Sequence, residues 1–188
     1  VQYINIFNDI TEKKNIEEHI ENLAKYDQLT KLPNRALFHD RLNQAFLHAI
    51  RSQEKIGLMF IDRDRFKQVN DTLGHKEGEQ LLPEVAKRLN HCVRQEDTVA
   101  RLGGDEFTII IGNLKRPEDS VIVANKILEA LSHTIKLGEH EVTVGGSIGI
   151  SIFPDDGADS KTIIQYADMA MYQAKRQGKN QYQFYTKE

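Results

Sequence analysis

Tryptophan is absent from this chain, cysteine occurs once, and no apolar run approaches the length that crosses a bilayer. A single cysteine, Cys92, excludes an internal disulfide and fits a reducing compartment. It falls on the apolar side of a helical pattern and is read as core. A strong charge of either sign is also missing: 25 basic and 28 acidic side chains leave a net charge of −3. That argues against a chain built to coat nucleic acid, so no nucleic-acid partner is expected. Neither an internal repeat nor a low-complexity tract is found. No signal peptide is legible and the first residue is Val1 rather than Met, so the chain is expected to be a piece of a longer protein. A cytoplasmic location is expected for this piece, which leaves room for membrane association of the intact protein through segments elsewhere.

What is present is a soluble, globular composition, 39% hydrophobic and 28% charged, at a length of 188 residues that suits one domain with an appendage. Residues 1–8, "VQYINIFN", alternate like a short strand. A helical pattern follows with Thr11 as its cap and Ile16, Ile20, Leu23 and Ala24 on one narrow face, either a solvated surface helix or, the reading preferred here, a connector that pairs with a second copy. "TKLPNRALF" is a turn entering a helix over 34–52, with Asp27 expected to cap or to pair with Arg35. "KIGLMFID" is a continuous apolar run ending in an acid, the pattern of a buried strand. Residues 66–94 hold a short helix, a glycine break and a longer helix whose inner face is Leu81, Leu82, Val85, Leu89 and Cys92. A hairpin over "RLGGDEF" comes next, then a helix opened by Pro117, a glycine-bearing strand pair over "EVTVGGSIGISIF", a helix closed by Gly178, and a last strand "QYQFY". Strands alternating with helices around one hairpin predict an α/β or α+β domain, a mixed sheet with helices on its faces.

Two adjacent carboxylates directly after a two-glycine turn call for a cation or a substrate proton. Asp62 is expected at the end of a buried strand, where open α/β sheets place their ligand sites. The turn that follows enters a helix, so backbone N–H groups near Arg65, Phe66 and Lys67 can face an anion such as phosphate. If the hairpin lies beside the Asp62 strand, Asp62, Asp105 and Glu106 converge as a hard-oxygen site suited to Mg²⁺ or Mn²⁺. A nucleotide triphosphate would complete the shell, and metal-assisted phosphoryl transfer needs this arrangement. Each piece has a plainer reading as well: Asp64 as a turn residue, "GGDE" as a surface hairpin.

Taken together, "DQLTKLPNR" at 27–35, "DRDRFKQVNDTLGHKEGEQLL" at 62–82, "RLGGDEF" at 101–107, "SIGIS" at 147–151 and "ADMAMYQAKRQGKN" at 167–180 resemble the GGDEF domain of the diguanylate cyclase family. The resemblance implies a fold like the adenylyl cyclase core and the polymerase palm. It implies condensation of two GTP into cyclic di-GMP, with release of two pyrophosphates, between two domains facing each other in a homodimer. It implies Mg²⁺ (or Mn²⁺) on Asp62 and Glu106 with the backbone carbonyl of Arg63. Asp105 would stand beside the ribose 3′-hydroxyl as metal ligand or base. Phe66 and Lys67 would offer backbone N–H groups to phosphates, Lys175 and Lys179 would reach the terminal phosphates, and Asn70 would bond guanine. Without the resemblance, those two lysines read as a solvated helix end and Asn70 as a helix-side polar residue.

Glu79 departs from the family's aspartate at the guanine edge, which keeps the acceptor oxygens but adds a methylene. "RQED" at 94–97 matches the family's R-x-x-D product-inhibition site, with Arg94 and Asp97 binding cyclic di-GMP. His75 is expected to make a structural hydrogen bond. Residues 1–26 resemble the end of a PAS sensor domain running into a signalling helix, with the GGDEF domain over 27–188. The closing "FYTKE" resembles the exit toward an EAL phosphodiesterase domain. A different class also fits the resemblance: a non-catalytic module that binds GTP or cyclic di-GMP and regulates a neighbouring domain.

Overall fold

The computed structural model describes residues 2–64 and 66–187, and the side chains of all of these except residues 2–12, 18, 64, 66 and 67. Among the described residues five strands form the main sheet. The central strand β1, Lys55–Asp64, runs antiparallel to β3, Glu106–Leu114, on one side and to β6, Gly145–Phe153, on the other. The edges are β2, Thr98–Gly103, antiparallel to β3, and β7, Gln181–Phe184, parallel to β6. The sheet is therefore mixed, as the alternation of elements predicted.

Alternate residues of a strand face opposite sides of the sheet, and here each side has its own core. Met59, Ile61, Phe107, Ile109, Ile148 and Ile150 face one way. They meet Leu81, Val85 and Leu89 of α4, His75–Cys92, and Ala124, Ile127 and Leu131 of α5, Asp119–Ser132. Leu58, Phe60 and Ile110 face the other way, onto Phe38, Leu42 and Phe46 of α2, Arg35–Ser52, and Ile163, Ala167 and Met171 of α6, Ser160–Arg176. A short helix, α3, Phe66–Leu73, links β1 to α4 and inserts Val69 into the first core. A two-stranded ribbon, β4, Ile135–Leu137, and β5, His140–Val142, lies apart from the main sheet.

Local chemistry sets these boundaries. Asn34 accepts from the N–H groups of Ala36 and Leu37 and starts α2; Asp159 accepts from Thr162 and starts α6. Gly74, at φ +102, breaks the chain between α3 and α4. Gly178, at φ +124, lies just past the end of α6. Cys92 is half-buried against the first core, as expected.

Four expectations need correction. The strand expected over residues 1–8 is part of α1, Gln2–Lys25, which runs through Thr11; Val1 lies outside the described residues. A lone strand would leave its backbone unpaired, whereas a helix satisfies it internally. The supposed strand pair over 141–153 is not a pair: β5 joins β4, and β6 joins β1 and β7. Pro117 stands in a turn ahead of α5, not in its first helical turn, and its carbonyl accepts from the N–H of Ser120. Finally, β1 does not stop at Asp62, because Arg63 and Asp64 still pair with Gly146 and Gly145.

Candidate functional site

The site is set by register. Asp62 of β1 pairs directly with Glu106 of β3 and, on its other side, with Ser147 of β6. Directly opposed residues share a face, so the two carboxylates lie on the side of the sheet covered by α2 and α6. Like charges so placed repel, and a cation answers them. Lys175, in the last turn of α6, brings its Nζ to 2.6 Å from Asp62 Oδ2, with the two side chains 30% and 14% exposed.

Arg63, the next residue along β1, points to the opposite side and is 2% exposed. Its guanidinium lies 5.6 Å from the centroid of the Phe107 ring. Burial pushes its pKa down to about 9, against the pull of Asp105 and Asp62, so it stays a cation at neutral pH. Asp105 follows Gly104 in the turn between β2 and β3, half-buried. Among the described residues no three His, Cys, Asp or Glu side chains gather as a metal cluster. The expected convergence of three carboxylates thus resolves into the pair Asp62 and Glu106, with Asp105 within electrostatic reach of Arg63. Asp105 stands in the turn before β3 begins, so the β1–β3 pairing that brings Glu106 opposite Asp62 does not extend to it.

The tip that carries Asp105 is held from behind. Arg101 donates through one nitrogen to both oxygens of Asp27, at 2.9 and 2.8 Å, and through Nε and its other terminal nitrogen to the carbonyl of Gly104, at 3.1 and 2.8 Å. Asp27 is therefore paired with Arg101, while Arg35 donates to the carbonyl of Leu102. The expected Asp27–Arg35 pair is corrected by topology: β2 runs past the turn that follows α1, as the bond from Arg101 N–H to the Pro33 carbonyl marks. Sequence reasoning gave Arg101 no role; its one signal was a cation two residues before the glycine pair. Burial raises the Asp27 pKa, but hydrogen bonds from Thr30 and Arg101 outweigh it and hold the carboxyl below its ordinary value. A depressed folded-state pKa stabilises the fold above the unfolded carboxylate pKa, and that stabilisation is lost as pH falls through the folded value. Asp27→Asn should melt at a lower temperature than the native chain at pH 7, and the gap should close in acid. Thermal melts across pH check this; a gap independent of pH would remove the ionic role.

The other expected residues sit on α3, on α4 and in the turn after α6. Phe66 and Lys67 open α3, which places their backbone at a helix N-terminus; their side chains lie outside the described ones. Asn70, one turn further, has a buried Oδ1 with no hydrogen-bond partner among the described residues. A buried acceptor left over in this way suits a donor from a ligand. Glu79 is exposed on α4, and His75 is exposed at its start with no side-chain hydrogen bond among the described residues, unlike the expectation. Lys179 is not on the helix with Lys175. It follows Gly178 at φ 65, exposed, with its N–H donated to the Ala174 carbonyl. Glycine ended the helix before Lys179 could join it.

Arg94 and Asp97 occupy the turn between α4 and β2. Asp97 accepts from the N–H of Arg94 at 3.0 Å and from the N–H of Gly112 at 3.3 Å. Its carboxylate therefore closes the turn, and burial raises its pKa despite those bonds. The Arg94 guanidinium is exposed, 3.8 Å from Glu96. Arg94 and Asp97 line a cleft together with Lys115 and Lys126, which makes one wall of it basic.

The donor set at Asp62 and Glu106, hard oxygens with a cation already drawn to one of them, fits a divalent metal such as Mg²⁺. Comparison with known proteins agrees with this chemistry. A family model described as "Diguanylate cyclase, GGDEF domain" matches residues 24–181. The bifunctional diguanylate cyclase/cyclic di-GMP phosphodiesterase MucR of Pseudomonas aeruginosa is 47% identical over 87% of this chain, which spans 24% of that protein. The cyclic di-GMP phosphodiesterase PdeR of Escherichia coli is 38% identical over 96% of the chain, which spans 27% of it. Among solved structures, the GGDEF domain of TpbB from Pseudomonas aeruginosa matches with a TM-score of 0.84 and 38% identity, over 86% of this chain and 94% of that one. The chain thus spans about a quarter of the two curated relatives.

Proposed function

We propose that this chain, which belongs to the GGDEF-domain family of diguanylate cyclases, condenses two GTP into cyclic di-GMP and two pyrophosphates. The observation that carries the reading is the direct pairing of Asp62 with Glu106, two carboxylates on one face of a rigid sheet with an ammonium drawn to them. Mg²⁺, or Mn²⁺, held there with the Arg63 carbonyl would neutralise phosphate charge as the new bond forms. Asp105, on a tip clamped by Arg101, takes the proton of the ribose 3′-hydroxyl or helps hold the metal, and the 3′-oxygen attacks the α-phosphate of the other GTP in line. Backbone N–H groups of Phe66 and Lys67 orient phosphate, and Lys175 and Lys179 bind the terminal phosphates as point charges. Asn70 accepts from guanine, and Glu79 reads its N1–H and amino edge.

One domain holds one GTP, so turnover needs two domains facing each other as a homodimer. Ile16, Ile20 and Leu23 support this: they form an exposed stripe on α1, 54%, 59% and 47% accessible, at the spacing of a helix-pairing seam. Residues 1–26 are then an upstream tail and linker helix, from a PAS-like sensor, and 27–188 the catalytic domain. No helix among the described residues is long and apolar enough to cross a membrane. The proposed use of GTP is what assigns this domain to the cytoplasm.

Product returns to Arg94 and Asp97 and inhibits. Arg94→Ala should raise the cyclic di-GMP concentration needed for half-inhibition by about tenfold or more, as expected for a lost charge-assisted bond; a product titration of initial rates checks it, and an unchanged value would remove the site.

The reading is tested by incubating nucleotide-stripped protein with GTP and Mg²⁺ and resolving the products. Cyclic di-GMP that disappears in Asp105→Ala supports it. A second reading, a non-catalytic module that binds GTP or cyclic di-GMP and regulates a neighbour, is favoured by the match to PdeR, whose name is that of a phosphodiesterase. Binding of GTP without turnover by the dimeric protein would select it.

A further inference from the structure

One contact in the site does not fit its residues' separate roles. Lys175 is assigned to the nucleotide's phosphates and Asp62 to the metal, yet the two are bonded to each other at 2.6 Å. The pair is built in rather than incidental. α6 lies against β6 so closely that Gly149 has backbone of Ala167 and Met171 where a Cβ would be, and Ala174, beside Lys175, is fully buried. The hydroxyl of Ser151 adds a buried bond of 2.8 Å to the Ile163 carbonyl. This packing fixes the height of α6 over the sheet, and with it the backbone from which Lys175 reaches Asp62.

A divalent cation on Asp62 would sit about 2 Å from its oxygen. The Lys175 ammonium could not remain on that oxygen, because two like charges would then stand within a few ångströms. We propose that Lys175 competes with the divalent cation for Asp62 and is transferred to the nucleotide's phosphates as the cation enters, so that this one side chain couples metal binding to nucleotide binding. The inference rests on the metal assignment proposed above. Its physical content is an exchange of partners. Metal arriving alone must break the Lys175–Asp62 bond with no anion to receive the lysine. Metal arriving with a triphosphate supplies one. A lysine suits the exchange, being a point charge on a flexible stem. Lys179 is not placed for it: it lies past the helix end, exposed, without an ion pair among the described residues. Coupling of this kind is reciprocal and commonly amounts to 5–150-fold in affinity.

The test measures Mn²⁺ affinity of the whole chain by electron paramagnetic resonance, with and without 3′-deoxy-GTP, which binds but cannot form the new bond. Lys175→Met should bind Mn²⁺ alone about tenfold more tightly than the native chain, and 3′-deoxy-GTP should then raise that affinity less than it does for the native chain. Lys179→Met should leave the affinity for Mn²⁺ alone at the native value, and Lys175→Arg should keep the native weak binding. Equal affinity for Mn²⁺ alone in Lys175→Met and the native chain overturns the exchange while leaving the metal site intact. An equal rise in Lys179→Met also overturns it, since net charge would then account for the effect. No Mn²⁺ binding in any form, even with nucleotide, removes the metal assignment and this inference with it.

Discussion

Gly149→Ala is expected to cost most of the domain's stability, about 4 kcal/mol or more. A Cβ at residue 149 would stand 2.0 Å from the Ala167 carbonyl oxygen and 2.1 Å from the Met171 nitrogen. Both are backbone atoms of α6, so no side chain can turn aside, and the whole helix would have to lift from β6. Residues 167 and 171 belong to the core under α2 and α6, and that core would open with it. Gly57 and Gly146 make a useful contrast, since the nearest atom to a Cβ there is the tip of a leucine side chain, 2.9 and 2.8 Å away, and no backbone atom stands in its way. Urea melts followed by circular dichroism check this: Gly149→Ala should have by far the lowest midpoint of the three. A midpoint near the native value would mean that α6 does not seat as described. The consequence reaches the site as well, because the same seat brings Lys175 to Asp62.

Glu106→Gln and Asp62→Asn are each expected to lower cyclic di-GMP formation by about a thousandfold, the scale of losing a preorganised charged group at a reacting centre. Both keep the shape and lose the charge. The two carboxylates repel across the β1–β3 pair, so neutralising Glu106 should leave the fold at least as stable as the native chain, whereas Asp62→Asn also gives up the ion pair with Lys175. In Glu106→Gln activity and stability would thereby move in opposite directions, which separates a functional carboxylate from a structural one. Initial rates measured beside thermal melts check both halves. Loss of activity together with a large fall in melting temperature in Glu106→Gln would mean that this carboxylate holds the fold rather than the reaction.

Much of this was legible beforehand. The apolar run ending at Asp62 and the glycine-centred hairpin before Glu106 placed two acids on strands of one sheet, and the helices over 35–52 and 75–92 follow from the turn before the first and from the glycine break and apolar face of the second. What periodicity could not supply was register. A slip of one residue exchanges faces, so whether Asp105 or Glu106 stands opposite Asp62 is decided by how β1 and β3 pair, not by either segment alone. The same limit hid the bond from Lys175 to Asp62, over a hundred residues apart, and the Asp27–Arg101–Gly104 clamp. The N-terminal strand was misread because alternation over a few residues is weak evidence without a partner strand, and none of the strands of the sheet adjoins it.

The most direct test of the central claim is the initial rate of GTP conversion by nucleotide-stripped protein with Mg²⁺, measured over a range of protein concentrations with the product identified chromatographically. Cyclic di-GMP and two pyrophosphates are expected, with a rate per chain that rises with protein concentration as domains pair. Intact GTP in the presence of a folded protein that sedimentation shows to be a dimer would contradict it.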